Sequence, residues 1–401
     1  MHIAIIWQRF LPYHVACINH LHKKCLTLGY KLTAIEVASQ DYSYRFPENK
    51  FKNMDFKHIC CFPGISYHQC KANEIHKKVL SVLVNLRPDL VFAPATPFPE
   101  GMAAYAYRLS LYKKAVMMDD AWEHTDRRGM FTKEIKRLIH QNIDAAFVPA
   151  PTHLSYYVKI GFPKERVYFG VYAIDNNYFS EISEHARANE KDIRISMQLP
   201  ENYFLFVGRF LPKKGLETLI KAYQKYRTKV TQKPWFLILV GGGSQFDYIY
   251  NKAKEIPGIL FPGPKFGDDL CRYYSFARAL IVPSILDQWG LVVNEALASG
   301  LPVIVSRGCG AARTLVKEGE NGWTFEPESI EELADLMSKM SSLPDSALQE
   351  MGQASRQIVA QWGLDRFVDG ALAALEIPRR PNAGFLANLL TRLWKGRVRL
   401  N

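Results

Sequence analysis

The sequence predicts an α/β protein made of two doubly wound parallel sheets in tandem, each a Rossmann-like domain. Three observations carry that reading. Short apolar runs alternate with helical patterns from the first residues onward, a polar stretch without a sustained period interrupts them at 176–200, and the alternation then restarts. A chain of 401 residues is too long for one ordinary core, and 48% hydrophobic against 22% charged residues sets disorder aside.

The elements follow in order. "HIAIIW" (2–7) is a strand ending in a polar loop, and "YHVACINHLHKKCLTLG" after it has helical spacing stopped by Gly29. "YKLTAIEVA" reads as a second strand, with "DLVFAPA" (89–95), "KAVMMDD" (114–120) and "DAAFVPA" (144–150) as further ones. Beyond the break come "YFLFVGR" (203–209), a helix from Leu216 to Lys229, "WFLILVGGG" (235–243), "ALIVPS" (279–284) and "LPVIVS" (301–306). The expected domains are therefore 1–180 and 195–360, with a basic tail at 380–401.

Several classes fall away. The opening "MHIAIIWQRF" is broken by Gln8 and Arg9, too soon for a signal peptide or a span, and no other segment reaches about 18 apolar residues. The expectation is a protein made and kept in the cytoplasm. Seven cysteines without a CxxC pair or a His-Cys cluster of zinc spacing suit a reduced compartment and no structural metal. A formal charge of +12 asks for an acidic partner: nucleic acid, an anionic membrane surface or a phosphorylated substrate. No zinc-finger, RNA-recognition or basic-zipper signature supports nucleic acid.

In such sheets ligands bind beyond the carboxyl ends of the strands, where turns and helix N-termini present backbone N–H groups. "FVGRFLPKKG" puts Gly208 and Arg209 at one such end, with Lys213 and Lys214 close behind. Two cations at a strand-to-helix turn can grip a diphosphate, although the lysine pair taken alone is better read as a solvated basic loop. "LVGGG" supplies Gly241, Gly242 and Gly243 at the next end, where positive φ and close backbone approach are open to glycine alone.

The stretch "PSILDQWGLVVNEALASG" holds two acids in an apolar setting, with seven residues between them. Asp287 falls in a loop after "ALIVPS"; Glu295 falls within a helix closed by Gly300. A carboxylate there can accept two hydrogen bonds from a vicinal diol such as a ribose, while the loop and the helix start at Gly290, Leu291 and Val292 face sugar and phosphates.

"VGRFLPKKGLETLI", "LVGGG", "VPS", then an acid before "EALASGLPVIVS", then "EGENGWTFEP", resemble in order and spacing the retaining glycosyltransferases of family 4. The resemblance covers roughly 200–330 and weakens in the N-terminal half. It implies the GT-B fold, two Rossmann-like domains facing each other across a cleft, with the first completed by a C-terminal helix at 362–378. It also implies a nucleotide-sugar donor on the second domain. Arg209 and Lys214 match the pair that stabilises the departing nucleoside diphosphate, and Glu295 matches the acid that holds the ribose. Asp287 matches an acid near the donor sugar that is usually glutamate, so the reach is one methylene shorter. Two cations suit leaving-group stabilisation without an obligatory metal and without a cofactor.

The N-terminal half is left with the acceptor, a glycan or lipid-linked molecule. Arg9, Tyr13 and His14 lie in the loop after the first strand, and Asp119 and Asp120 just past another strand end. Either aspartate could instead cap the next helix, and His14 could be an ordinary loop histidine. "GFLANLLTRLWKGRVRL" (384–400) sets apolar residues at helical spacing beside Arg392, Lys395, Arg397 and Arg399. Such a helix can lie on an anionic bilayer, which would make the protein peripheral at the inner membrane face, or it can pack on the N-terminal domain. A sugar-nucleotide 2-epimerase and a non-catalytic nucleotide-sugar-binding subunit are the alternatives to a transferase.

Overall fold

The first apolar run becomes the central strand of a parallel sheet because both its faces are covered: Ile3, Ala4, Ile5 and Ile6 are all 0% exposed. The computed structural model describes residues 1–40, 54–126, 128–230 and 233–398. Among these the chain divides into two units, Met1–Ala173 joined by Leu364–Asn401, and Ile174–Gly363.

In the first unit the strands are β1 (His2–Trp7), β2 (Lys31–Gln40), β3 (Lys57–Ser66), β4 (Leu90–Pro94), β5 (Lys114–Met118), β6 (Ala145–Val148) and β7 (Val167–Phe169). They pair in the order β3-β2-β1-β4-β5-β6-β7, every neighbour parallel. The helix Leu364–Glu376 returns to this unit: Phe367 packs against Trp7, and a Cβ at Gly370 would sit 2.1 Å from the Phe169 carbonyl oxygen. That glycine is what lets the helix approach the end of β7.

The second unit repeats the plan with β8 (Tyr203–Arg209), β9 (Phe236–Gly242), β10 (Ile259–Gly263), β11 (Ala279–Val282), β12 (Val303–Ser306) and β13 (Gly322–Phe325), ordered β10-β9-β8-β11-β12-β13 and again all parallel. The chain runs outward from β8 through β10, then crosses back to begin β11 on the other side of β8. The order therefore reverses between β8 and β11, a topological switch point.

The polar stretch that interrupts the apolar pattern is itself regular structure. Residues 176–200 form two helices, Asn176–Ala188 and Glu190–Met197. The Asp175 carboxylate accepts from the Tyr178 N–H at 3.2 Å and starts the first helix. Its buried face is made of Ser183 and Ala186, too small to show as an apolar period, while Arg187 donates to the carbonyls of Ser275 and Ser299. These contacts attach the segment to the second unit.

Candidate functional site

Parallel pairing brings β8 and β9 to their carboxyl ends together, with Arg209 level with Gly242. The two exits are packed backbone to backbone. A Cβ at Gly241 would meet the Gly208 carbonyl oxygen at 1.9 Å, and one at Gly243 would meet the Phe210 backbone nitrogen at 2.9 Å. Gly242 differs, because a Cβ there would meet only the Pro264 ring at 3.4 Å. The demand for glycine at 241 and 243 thus comes from the chain's own packing.

Beyond β8 a turn of 3₁₀ helix, Pro212–Lys214, ends at Gly215 with φ +67°, where a Cβ would lie 2.0 Å from the Pro283 carbonyl oxygen. This close approach ties the exit of β8 to that of β11. The N–H groups of Ile285 and Leu286 both donate to the Lys213 carbonyl, at 2.8 and 3.2 Å. Across the tie, Lys214 Nζ donates to Asp287 Oδ2 at 2.5 Å, with both side chains 16% exposed. The Asp287 backbone is fixed as well: its N–H donates to Gly308 O at 2.9 Å, and its own carbonyl accepts from Gly310 N at 3.1 Å. The anionic and cationic candidates are thus a paired couple held at the switch point.

The helix Leu291–Ala298 begins at Gly290, whose φ of +94° is left-handed. A Cβ at this position would lie 2.6 Å from Cys309 Sγ, so no other residue fits. In the first turn the N–H groups of Leu291 and Val292 have no intrahelical acceptor. Buried Trp289 braces this start by donating from Nε1 to Asn294 Oδ1 at 3.1 Å. Glu295, one turn on, is half-buried, and Tyr274 O–H donates to its Oε2 at 2.7 Å. Burial pushes its carboxyl up to about 7 against the opposing pull of that hydroxyl. Asp287, Lys214, Gly290 and Glu295 therefore share the carboxyl edge around β8 and β11, together with Arg209. Tyr274 and Trp289 are missed by sequence reasoning, since neither stands in a pattern that marks it.

The first unit places its candidates on the carboxyl edge of its own sheet. Arg9 and Tyr13 are half-buried beyond β1, and Asp119 is buried just past β5 with Asp120 beside it. Neither aspartate caps a helix. The short turn that follows is closed by Thr125, whose hydroxyl accepts from Trp122 N at 2.9 Å, and the helix Met130–His140 starts from Gly129. His14 is corrected. It is 5% exposed, stacked on Trp7 at 4.6 Å, and its Nδ1 accepts from Leu11 N at 3.0 Å. Burial pushes its imidazole down to about 3, so it is a neutral cap of the helix Pro12–Thr27.

A trio nearby, buried Glu100 and Tyr67 with half-buried Gln8, carries no sequence signal. Glu100 is 0% exposed at the start of the helix Pro99–Leu111; its Oε2 accepts from Tyr67 O–H at 3.0 Å, and Gln8 Nε2 reaches that same hydroxyl at 3.4 Å. Burial pushes the Glu100 carboxyl up to about 7. Among the described residues no group of three or more His, Cys, Asp or Glu side chains could hold a metal ion.

Two parallel α/β units in this connectivity define the GT-B fold. Residues 189–358 match the family described as glycosyl transferases group 1. An uncharacterised glycosyltransferase of Methanocaldococcus jannaschii is 34% identical over 142 residues, 34% of this chain and 35% of that protein. A GDP-mannose-dependent alpha-(1-6)-phosphatidylinositol monomannoside mannosyltransferase of Mycobacterium tuberculosis is 28% identical over 170 residues, 40% of this chain and 43% of the relative. The matches thus span less than half the length of these curated relatives. Among solved structures, Anabaena HepE in complex with UDP and glucose superposes with a TM-score of 0.71 at 16% identity, covering 93% of this chain and 98% of that one.

Proposed function

We propose that the protein is a retaining, metal-independent glycosyltransferase of family 4. It moves a sugar from a nucleotide-sugar donor to a hydroxyl of a glycan or lipid-linked acceptor, in assembly of a surface polysaccharide or glycoconjugate. The observation that carries this reading is the Lys214–Asp287 pair at the switch point, with the Glu295 carboxylate on the adjoining helix. The family match over 189–358 and the UDP held by the HepE structure support it.

On this reading Glu295 accepts hydrogen bonds from the ribose, and the N–H groups of Leu291 and Val292 face the phosphates. Arg209 and Lys214 then meet the negative charge that grows on the diphosphate as the bond to the sugar breaks. Asp287 lies toward the donor sugar and hands Lys214 to the leaving group. The acceptor hydroxyl attacks from the face the diphosphate leaves, giving retention. Arg9, Tyr13, Asp119 and Asp120 belong to the acceptor side. Two protein cations supply the charge that such a step requires, which is the reason for assigning no obligatory metal.

The test is a panel of UDP-, GDP-, ADP- and dTDP-sugars, followed by release of free nucleotide with and without simple glycoside acceptors. Turnover of one donor, lost in Lys214→Ala and Glu295→Ala, is expected. Conversion of the donor sugar with nothing transferred would indicate an epimerase, and binding without release a non-catalytic subunit. Either result overturns the proposal.

A further inference from the structure

The tail beyond Glu376 is held to the first unit as a strap. From 377 to 401 it carries six basic residues and no acidic one. Arg380 N donates to Asp144 Oδ1 at 2.7 Å, while Arg108, itself fully buried and doubly bonded to Asp144, donates to the Arg380 carbonyl at 2.6 Å and to Asn382 Oδ1 at 3.1 Å. Asn142 grips both sides of the next turn, accepting from Ala383 N at 2.9 Å and donating to Thr391 Oγ1 at 3.1 Å. At the far end Trp394 Nε1 donates to Thr96 O at 3.1 Å and Arg397 N to Pro97 O at 2.8 Å. The rotation of the helix Phe385–Leu393 about its axis is therefore fixed at both ends.

That rotation leaves four of the helix's five large apolar side chains, Phe385, Leu386, Leu389 and Leu393, facing outward. The fully buried residues are small, Ala387 at 2% and Thr391 at 0% exposure, with Leu390 partly buried against the core, while Phe385 is 82%, Leu386 55% and Leu393 66% exposed. The neighbouring helix Met130–His140, against which it packs, opens with Met130 at 86% and Phe131 at 80%. Arg392 and Arg397 are exposed beside the apolar ridge, and Arg399 lies outside the described residues. Among the described residues no helix is long and apolar enough to cross a membrane.

We infer that this outward ridge is a docking surface for an anionic lipid bilayer, with Phe385, Leu386, Leu389 and Leu393 entering the headgroup boundary and the basic residues contacting lipid phosphates. Charge complementarity selects the occupant: the tail that carries the ridge bears basic residues and no acidic one, the adjoining helix sets exposed Lys133 and Arg137 against one exposed acid, Glu134, and a tryptophan stands at the ridge's end, a combination that fits an acidic apolar interface. Its convex form, large side chains standing on a single helix, also suits a deformable bilayer better than a shaped protein groove. The ridge ends on the Thr96–Pro97 loop beyond β4, on the edge that carries Arg9 and Asp119, so docking would bring a lipid-borne molecule toward that edge. The surface itself stands independently of the proposed transfer reaction.

Because the strap satisfies the buried Arg108 and Asp144, truncation would test folding rather than docking. The discriminating variants are Phe385→Ser with Leu393→Ser, and Arg392→Glu, which touch none of the anchoring hydrogen bonds. Sedimentation with phosphatidylcholine vesicles containing about 30% phosphatidylglycerol, in about 0.1 M salt and without donor, should show binding of the full chain. Binding to neutral vesicles should be weaker by roughly tenfold or more, and each variant should lose about as much while keeping the parent melting temperature. Full binding by the variants, or no binding by the parent chain, overturns the inference. Self-association abolished by Phe385→Ser without vesicle binding would do the same and assign the ridge to protein contact. The readout needs no sugar transfer, so failure here leaves the transferase reading standing.

Discussion

Lys214 Nζ lies 2.5 Å from Asp287 Oδ2, and this pair joins the loops after β8 and β11 where the strand order of the second sheet reverses. On the proposed reading, a diphosphate arriving at the switch point competes with the aspartate for the lysine. Asp287→Asn keeps the shape and removes that competition. The variant is expected to bind a free nucleoside diphosphate about tenfold more tightly, equivalent to ~1.4 kcal/mol, while transferring sugar more slowly. Calorimetric titration measures the first and product formation the second. Unchanged or weaker binding would show that the two anions do not compete for Lys214.

If Glu295 holds the ribose as proposed, nucleotide affinity depends on pH. Its carboxyl is raised to about 7 in the free protein by burial. A ribose donating two hydrogen bonds favours the ionised form, so binding lowers that value and releases a proton. Affinity should accordingly rise as pH increases from about 6 to about 8, levelling off above the raised value. Calorimetry in buffers of different ionisation enthalpy detects the released proton. Glu295→Gln should bind more weakly and with a flat profile; a sloping profile in that variant would place the titration elsewhere.

Glu100 makes a separate prediction for stability. Its folded value of about 7 lies above the unfolded one, so the folded state holds the extra proton between roughly pH 4.5 and 7. The contribution is fully present below the unfolded value and is lost as pH rises through the folded one. Glu100→Gln cannot ionise and escapes that loss. Relative to the parent chain its melting temperature should be higher at about pH 8 than at about pH 5 by several degrees, corresponding to at most ~3 kcal/mol. Equal differences at the two pH values would show that Glu100 does not ionise with cost in the folded chain.

Metal removal tests the division of charge at the leaving group. With Arg209 and Lys214 as the balancing cations, transfer should survive excess EDTA with less than about a twofold change. Abolition by EDTA and rescue by Mg²⁺ or Mn²⁺ would require a metal at the diphosphate.

Much of the second unit is legible in the sequence because its central strands are continuous apolar runs with abrupt ends, "FLILV" in β9 running into glycine and "ALIV" in β11 into Pro283 and Ser284. The edge strands are less visible. β3 is mostly partly exposed, with Pro63, Gly64 and Ile65 exposed in succession, and β7 is three residues long, so neither carries a strong pattern. Site residues that act through residue type at a strand end, Lys214, Asp287 and Glu295, can be named from order and spacing. Their couplings cannot. The Lys214–Asp287 pair, the Tyr274 hydroxyl on Glu295 and the Tyr67–Glu100 contact join residues 73, 21 and 33 positions apart, and only the folded sheet brings them together. His14 shows the converse: its place in the loop beyond β1 suggests ligand contact, yet stacking on Trp7 and the bond from Leu11 make it a helix cap. The tail's helical period is plain, but which of its faces meets the protein depends on Asn142 and Asp144.

The most direct measurement is the single-turnover rate of Lys214→Ala at saturating donor, set against its donor affinity. A fall of roughly 10²–10³-fold in rate is expected, with affinity changed by no more than about tenfold, because the lysine acts chiefly on charge that develops as the donor bond breaks. A rate within about twofold of the parent chain would contradict the assignment of Lys214 to the departing diphosphate, and with it the central role given to the switch-point pair.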